Sequence, residues 1–234
     1  MVAVKIRRPR IEDEIKLDMK LLRLGAECAV SLPPLRHLPV LATLEEFRCC
    51  VERQLDFRME AESNNRFRAT FQNEPHILIP ALVEQFCSQS ILTMDFFDEI
   101  AMPSMPDYES QRQALLLSLR ALYYMIFVEG FIHCDMHQGN LHLLPGGRVA
   151  LIDFGFISEL KDFDRQVFAE FFYAVSSNKG ERCAQLIIET ASYLPPGLCY
   201  KKFDQEISGL IDDVTRTTAG KFHVAALATT ICRN

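Results

Sequence analysis

The sequence contains no long hydrophobic run. Its longest apolar candidate, Ala121 to Val128, is much shorter than the roughly 18 residues that a membrane-spanning helix needs. Met1 continues directly into Val-Ala-Val-Lys, without the charged and apolar regions of a signal peptide, so we expect no targeting segment in this chain. Peripheral contact with a membrane stays open.

Paired cysteines with metal-binding spacing are also absent. The eight cysteines include no Cys-x-x-Cys pair, and most lie inside apolar helical patterns. We therefore predict that they are reduced core residues of an intracellular protein, and zinc is disfavoured. They are Cys28, Cys49, Cys50, Cys87, Cys134, Cys183, Cys199 and Cys232.

A concentrated basic surface is the third missing feature. The net charge is −6, and the one basic cluster, Lys5-Ile6-Arg7-Arg8, is too short to indicate nucleic-acid binding. Apolar residues make up 49% of the 234 residues, which is typical of a globular protein with one large domain or two small lobes.

The most informative stretch runs from His133 to Gly155. Two strand-length apolar runs, 141–144 and 149–152, flank the turn Pro145-Gly146-Gly147, a pattern that predicts a β-hairpin. Such a hairpin would bring together three polar side chains that lie at its ends. They are Asp135, Asn140 and Asp153.

Two carboxylates and a carboxamide are hard oxygen ligands of the kind that magnesium-dependent phosphoryl transfer requires. The spacing His-x-Asp-x-x-x-x-Asn, followed by Asp-Phe-Gly, is that of the protein-kinase catalytic segments. On this pattern Asp135 and His133 are the catalytic candidates, with Asp135 acting on the acceptor and His133 bracing the loop. Asn140 and Asp153 are the predicted metal ligands.

The segments before this stretch supply a candidate ion pair. Alternating residues 2–6 predict a strand that carries Lys5, and residues 11–29 follow the period of an amphipathic helix. A capping box at Thr43 predicts the start of a second helix, which we expect to continue through residue 67 and to carry Glu60. Lys5 and Glu60 could meet only through the fold.

Further strands are predicted at 77–83 and 90–97, and Asp107 is expected to cap a long helix that ends near Gly130. Beyond Gly155 the pattern predicts helices at about 160–177, 180–192 and 201–218. No Ala-Pro-Glu follows the Asp-Phe-Gly, so the usual peptide platform of protein kinases is not indicated. This favours a small or lipidic substrate, or none.

Together these motifs resemble the UbiB, or AarF-domain-containing, family of atypical kinase-like proteins. The resemblance is carried by Val-Ala-Val-Lys, by Leu-Asp-Phe-x-x-Glu-Ala, and by His-x-Asp-x-His-x-Gly-Asn before Asp-Phe-Gly. It implies an α+β, protein-kinase-like fold. Residues 1–97 would form a partial N-lobe of strands plus two helices, and residues 98–234 a mainly helical C-lobe that carries the catalytic hairpin.

The resemblance also implies residue roles and cofactors. Lys5 would contact nucleotide phosphates and Glu60 would pair with it, while Asp95, Phe96 and Phe97 would form the hinge that binds adenine. The implied cofactors are ATP and Mg²⁺.

The family supports ubiquinone or related isoprenoid-quinone biosynthesis, so the resemblance implies an ATPase or phosphotransferase with that role. Its partners would be a nucleotide and an isoprenoid lipid or quinone-biosynthesis proteins. The implied compartment is the mitochondrion, with plastids or bacterial membranes as alternatives.

Three features depart from the family pattern. The family's Lys-x-Gly-Gln motif and Ala-rich nucleotide loop precede the Val-Ala-Val-Lys strand, at which this chain begins. Gln54 stands where the family usually has an acidic residue, and the chain stops within the apolar segment 226–234. We therefore expect a domain shortened at both ends, whose nucleotide site lacks its lid.

Three other functions stay open at this point. The first is a catalytically inactive pseudokinase that scaffolds a partner complex, and the second is a small-molecule phosphotransferase with the same catalytic core. The third is a metallohydrolase that uses His133, Asp135 and His137 as ligands, for which imidazole would select a transition metal over Mg²⁺.

Overall fold

The structure of the protein is a computed structural model that describes residues 1–31, 39–101, 107–191, 193–195 and 197–216. The chain divides into two compact units, Met1–Met125 with Phe131–Glu159, and Ile126–Gly130 with Leu160–Asn234. The lobe boundary between residues 97 and 98 stays a prediction.

Short strands of the first unit pair into three small sheets. β1 lies antiparallel to β3, with Val2 opposite Asp95 and Ile6 opposite Ile91. β2 is parallel to β6, which is antiparallel to β5, while β4 and β7 form a separate antiparallel pair. The strands are β1 Val2–Ile6, β2 Ile77–Leu78, β3 Ile91–Asp95, β4 Phe131–His133, β5 Leu141–Leu144, β6 Arg148–Leu151 and β7 Ile157–Glu159.

The predicted catalytic hairpin is present as β5 and β6. They pair from Leu141 opposite Leu151 to Leu144 opposite Arg148. Gly146 and Gly147 in the turn have φ of 72° and 70°, a left-handed conformation that glycine adopts without steric cost. The predicted strand 77–83 is shorter than expected, because only Ile77 and Leu78 pair as a strand before a 3₁₀ turn at Glu84–Phe86.

Within its described residues, the first unit contains the helices α1 Ile11–Val30, α2 Val40–Gln54, α3 Phe57–Thr70, α4 Asp98–Ala101 and α5 Tyr108–Tyr124. The predicted cap at Asp107 is confirmed, since its carboxylate accepts a hydrogen bond from the Ser110 N–H. A π-helical turn, Met125–Glu129, follows α5.

The prediction of one helix from Thr43 to residue 67 was wrong. α2 begins three residues earlier, at Val40, so Thr43 is an interior residue whose N–H donates to the Pro39 carbonyl. The helix breaks at Leu55, and Asp56 caps α3 by accepting from the Arg58 N–H. Because this cap competes with a continuous helix, Glu60 lies in the first turn of a separate helix.

The core of the first unit is aromatic. Phe67 of α3 packs against Phe131 and Phe154, with ring centroids 4.8 Å and 5.3 Å apart. Met125, Val149 and other apolar side chains complete the same cluster. The Asp-Phe-Gly segment is therefore attached to α3 through a buried phenyl ring.

The second unit is built on α6 Asp162–Ser176, α7 Gly180–Thr190 and α8 Tyr200–Arg216. Its core residues are Ala174, Cys183, Ala184, Phe203, Ile207 and Ile211. These helices confirm the predicted ones to within a few residues. Residues 217–218 of the expected last helix, and the apolar segment 226–234, lie outside the described residues.

The cysteines depart from expectation. Cys183 is buried, but Cys28, Cys49, Cys50, Cys134 and Cys199 are exposed, and Cys87 is intermediate. The prediction of core cysteines was wrong because helical periodicity did not reveal which face of each element is covered. All seven are free thiols, whereas Cys232 lies outside the described residues. Among the described helices, none is long and apolar enough to span a bilayer.

Candidate functional site

The loop between β4 and β5 holds Asp135 and Asn140 together. The Asn140 side-chain Nδ2 donates to both the backbone carbonyl and the Oδ2 of Asp135, each at 3.0 Å. The Asn140 carbonyl in turn accepts a hydrogen bond from the N–H of Ile152, the residue before Asp153. The hairpin thus places Asn140 beside the Asp-Phe-Gly segment, as the sequence predicted.

His137 and Gly139 give this loop its shape. The Gly139 N–H donates to His137 Nδ1 at 2.9 Å, and a Cβ on Gly139 would lie 2.7 Å from His137 Cε1. A larger residue at position 139 would therefore require the exposed imidazole ring of His137 to move.

His133 supports this loop through contacts with its backbone. Its ring is 2% exposed, its Nδ1 accepts from the Asp135 N–H at 3.2 Å, and its Nε2 lies 3.5 Å from the Ile152 carbonyl. Burial lowers the pKa of His133, which favours the neutral ring with its proton on Nε2. Both nitrogens therefore face backbone groups, and the buried ring braces the loop that carries Asp135.

Asp153 has an unusual backbone conformation. Its φ is 60°, in the left-handed region that non-glycine residues seldom occupy, and its Oδ1 accepts from the Gly155 N–H at 3.2 Å. Strained backbone of this kind is frequent where a side chain must be aimed at a ligand. Here it directs the carboxylate towards Lys5.

Lys5 joins three segments that are distant in sequence. Its Nζ lies 2.9 Å from both carboxylate oxygens of Glu60 and 2.9 Å from Asp153 Oδ2. Glu60 is 4% exposed, whereas Lys5 and Asp153 are 34% and 44% exposed. The Lys5–Glu60 contact that the sequence could only suggest is therefore present, and it is shared with the Asp-Phe-Gly carboxylate.

Burial and ion pairing shift the pKa values of Lys5 and Glu60 in opposite directions. Burial by itself would lower the pKa of Lys5, but the Glu60 and Asp153 carboxylates outweigh it, so the pKa of Lys5 is raised. Burial raises the pKa of Glu60, and the Lys5 ammonium opposes that rise. Lys5 therefore stays charged at ordinary pH and compensates a carboxylate that water barely reaches.

The predicted hinge lies at the end of β3. The Asp95 N–H donates to the Ala81 carbonyl at 2.9 Å, and the Phe96 N–H points to the Met1 carbonyl at 3.4 Å. Asp95 is exposed, while Phe96 and Phe97 are half-buried. Two of the backbone donors at the predicted hinge are thus bonded within the protein.

The donor set at the hairpin fits magnesium. With Asn140 Nδ2 given to Asp135, the Asn140 amide oxygen is the atom left to face a cation beside the Asp153 carboxylate, and both are hard oxygen donors. Within the described residues, no three His, Cys, Asp or Glu side chains form a metal-binding group. Both ring nitrogens of His133 already face backbone groups, so they are not free to bind a metal in this arrangement.

Two residues at the site carried no assigned role in the sequence. The Lys5 ammonium lies 5.2 Å from the centre of the Phe57 ring, a cation–π distance, and Phe57 belongs to the Leu-Asp-Phe motif that could have drawn attention to it. Asn64, one turn beyond Glu60, is fully buried with no hydrogen-bond partner for its side-chain atoms. The sequence signal for Asn64 was its spacing of four from Glu60, which places both residues on one face of the helix.

Comparison with known proteins gives independent information about the family and the fold. Residues 1–187 match the family model of the ABC1 atypical kinase-like domain. An uncharacterized Synechocystis protein is 29% identical over 80% of this chain and 50% of its own length. Activity of BC1 Complex Kinase 3, chloroplastic, of Arabidopsis thaliana is 31% identical over 68% of this chain and 23% of its length.

UbiB of Tolumonas auensis is 25% identical over 91% of this chain and 40% of its own length. The chain thus spans half or less of the length of these relatives. Among solved structures, Rv3197 of Mycobacterium tuberculosis with erythromycin superposes with a TM-score of 0.60 at 20% identity, over 98% of this chain and 58% of that one. With the family match, this likeness confirms the predicted α+β, kinase-like fold.

Proposed function

Because the chain belongs to the ABC1 atypical kinase-like family, we propose that it binds ATP with Mg²⁺ and acts as an ATPase or phosphotransferase. The observation that carries this proposal is the contact of Lys5 with both Glu60 and Asp153, beside the bonded pair Asp135 and Asn140. Phosphoryl transfer needs these groups: a phosphate-binding cation, oxygen ligands for a metal, and a carboxylate for the acceptor.

Lys5 is the phosphate-binding cation in this proposal. Glu60 holds its Nζ with both carboxylate oxygens, and α3 presents Glu60 from a buried position. An ammonium fixed in this way is preorganised for phosphate oxygens, so it need not be reoriented when the nucleotide arrives. The second contact of Lys5, with Asp153, would loosen as phosphate and cation compete for the two charges.

Asp153 and Asn140 are the proposed magnesium ligands. Bound there with a nucleotide, Mg²⁺ would neutralise charge on the phosphate oxygens and orient the terminal phosphoryl group. The strained backbone of Asp153 and the two hydrogen bonds that Asn140 Nδ2 donates to Asp135 hold the two oxygen donors in place.

Asp135 is the proposed catalytic residue that acts on the acceptor. Its side chain is 47% exposed, and Asn140 Nδ2 and the nearby His137 ring orient its Oδ2. A solvent-facing carboxylate fixed in this way can align an acceptor hydroxyl or a water molecule and accept its proton. His133 acts through the Asp135 backbone as a positioning residue.

The adenine would lie next to Asp95, Phe96 and Phe97, where β3 ends. Because the Asp95 and Phe96 N–H groups are already bonded, adenine recognition would depend on the half-buried aromatic side chains and the remaining backbone groups. The missing Ala-Pro-Glu favours a small or lipidic acceptor over a peptide. A role in ubiquinone or isoprenoid-quinone biosynthesis, with lipid or protein partners in mitochondria, plastids or bacterial membranes, extends this proposal.

A fluorescence titration with trinitrophenyl-ATP, with and without Mg²⁺, tests the proposal. We expect saturable binding that requires Mg²⁺ and weakens about tenfold or more in Asp153→Asn, because the variant loses a charged metal ligand. Asp18→Asn, the same change at an exposed position of α1, is the matched control and should bind as the wild type does.

If the folded wild-type protein binds no nucleotide, the enzyme proposal fails and a scaffolding pseudokinase takes its place. Mg²⁺-dependent binding that Asp153→Asn leaves unchanged would instead contradict the assignment of the metal ligand. Binding accompanied by transfer to a soluble alcohol would identify a small-molecule phosphotransferase.

A further inference from the structure

The first unit contains a cavity that is separate from the group formed by Lys5, Glu60 and Asp153. Its volume is about 540 Å³, within the range of small-molecule sites, and none of those three residues lines it. Six residues on one face of α1 form one wall, and α2 with the segment that leads into α3 forms the other.

Cationic side chains outnumber carboxylates among the residues that line this cavity. Five cationic side chains line it, against three carboxylates: Arg7, Lys16, Lys20, Arg23 and Arg48 against Glu12, Glu52 and Asp56. Arg7 pairs with Glu12 at 2.9 Å, Arg23 pairs with Glu27 at 3.0 Å, and Arg48 pairs with both Glu45 and Glu52. In the described part of the chain, Lys16 and Lys20 form no ion pair, so their charge is available to a ligand.

The remaining lining is apolar. Ile15, Met19 and Leu55 are half-buried at the cavity, although a side chain of this kind gains more from full burial. Ile15 and Met19 are four residues apart on α1. Lys16 directly follows Ile15, and Lys20 directly follows Met19. The apolar and cationic side chains therefore form two adjacent strips, which suit a ligand that has an apolar body and an anionic end.

The cavity wall is continuous with the elements that carry Lys5 and Glu60. Arg7, two residues beyond Lys5, donates through Nη1 to the Leu55 carbonyl. Leu55 precedes Asp56, the N-cap of α3, which presents Glu60. A ligand at Arg7 and Leu55 would therefore touch the connection that positions both members of the ion pair.

We propose that this cavity binds a small amphipathic anion, with a phosphate or carboxylate group near Lys16 and Lys20 and an alkyl or aryl body on Ile15, Met19 and Leu55. The site is separate from the nucleotide site and does not depend on it. Occupancy would hold the start of α3, and with it Glu60, in the arrangement seen here.

Calorimetric titration of the purified chain, without nucleotide, tests this site. The probes are decyl phosphate and decanoate below their micelle concentrations, with neutral decanol and inorganic phosphate as the two partial ligands. We expect saturable one-to-one binding of an anionic amphiphile, at least about tenfold tighter than either partial ligand, because only the amphiphile uses both strips. The two anionic probes distinguish a phosphate from a carboxylate head.

The double variant Lys16→Gln/Lys20→Gln should lose about tenfold or more in affinity, while Lys201→Gln/Lys202→Gln, with the same charge change on exposed α8 residues, should not. Asp153→Asn should bind the probe normally, which separates this result from failure of the nucleotide site. The proposal is overturned by no binding, by decanol binding equally well, or by equal losses in both lysine variants.

Discussion

At the scale of single residues, the candidate site includes a buried histidine whose two ring nitrogens both face backbone groups. His133 is buried against Phe154, with ring centroids 5.4 Å apart, and accepts the backbone N–H of the catalytic Asp135 candidate. Its neutral state is thus part of the loop geometry. Protonation would replace the acceptor at Nδ1 with a donor facing an N–H group.

This predicts a specific acid sensitivity. Burial places the folded-state pKa of His133 below the value of about 6.5 expected in the unfolded chain. The unfolded state then binds more protons below about pH 6.5, so this contribution to stability is present above that pH and is lost as the pH falls towards the folded pKa.

Urea unfolding at several pH values between 5 and 8 measures the effect. The free energy of unfolding should fall more steeply below pH 6.5 in the wild type than in His133→Asn, which keeps an acceptor but does not titrate there. His76→Asn, at an exposed imidazole, is the control and should follow the wild type. Equal slopes in wild type and His133→Asn would contradict the assignment.

Asn64 presents a second residue-scale case. Its amide is fully buried on α3, and neither side-chain atom has a hydrogen-bond partner. Burying an unbonded amide costs about 1–3 kcal/mol, so Asn64→Leu should stabilise the fold.

Asn65→Leu, at the adjacent exposed position, has the same gain in helix propensity and serves as the matched control. The free energy of unfolding of Asn64→Leu should exceed that of Asn65→Leu by about 1 kcal/mol or more. A loss of stability in Asn64→Leu alone would show that the amide is bonded in solution, for instance to an ordered water.

At the scale of elements, helix caps decide where the functional side chains lie. The Asp56 cap interrupts what would otherwise be one helix and places Glu60 in the first turn of α3. Thr43, which has the sequence pattern of a cap, lies inside α2 and bonds as an ordinary helical residue.

Alanine substitution distinguishes Asp56, which caps α3, from Thr43, which lies inside α2. Asp56→Ala should lower the free energy of unfolding by about 1 kcal/mol, because the Arg58 N–H loses its acceptor at the helix start. Thr43→Ala should cost close to nothing, since alanine is the better residue in a helix interior. Chemical denaturation of the two variants measures the difference, and a larger loss in Thr43→Ala would contradict this boundary.

These elements also show how far local pattern extends. The hairpin β5–β6, the Asp107 cap and strand β1 were predictable because turn residues, cap residues and alternation act over a few positions. The pairing of β4 with β7 was not, since each has three residues and they meet only through the fold. The exposure of most cysteines and the contact of Lys5 with Asp153 were not predictable for the same reason.

At the scale of the whole molecule, one compact unit contains every residue of the candidate site. Lys5, Glu60, Asp135, Asn140 and Asp153 all belong to the unit Met1–Met125 with Phe131–Glu159. The Lys5 ammonium connects the first strand to Glu60 of α3 and to Asp153 of the Asp-Phe-Gly segment. The family match covers residues 1–187 and so includes this whole unit.

The central claim is that these residues bind a nucleotide and transfer its terminal phosphoryl group. Single-turnover release of labelled phosphate from γ-labelled ATP, with Mg²⁺ and excess protein, tests it most directly. Asp135→Asn should keep nucleotide affinity but lose about a hundredfold or more in rate, as removal of a general base does, whereas Asp153→Asn should already show weakened nucleotide binding. Undiminished turnover in Asp135→Asn, or tight nucleotide binding without any turnover by the wild-type chain, would contradict the account.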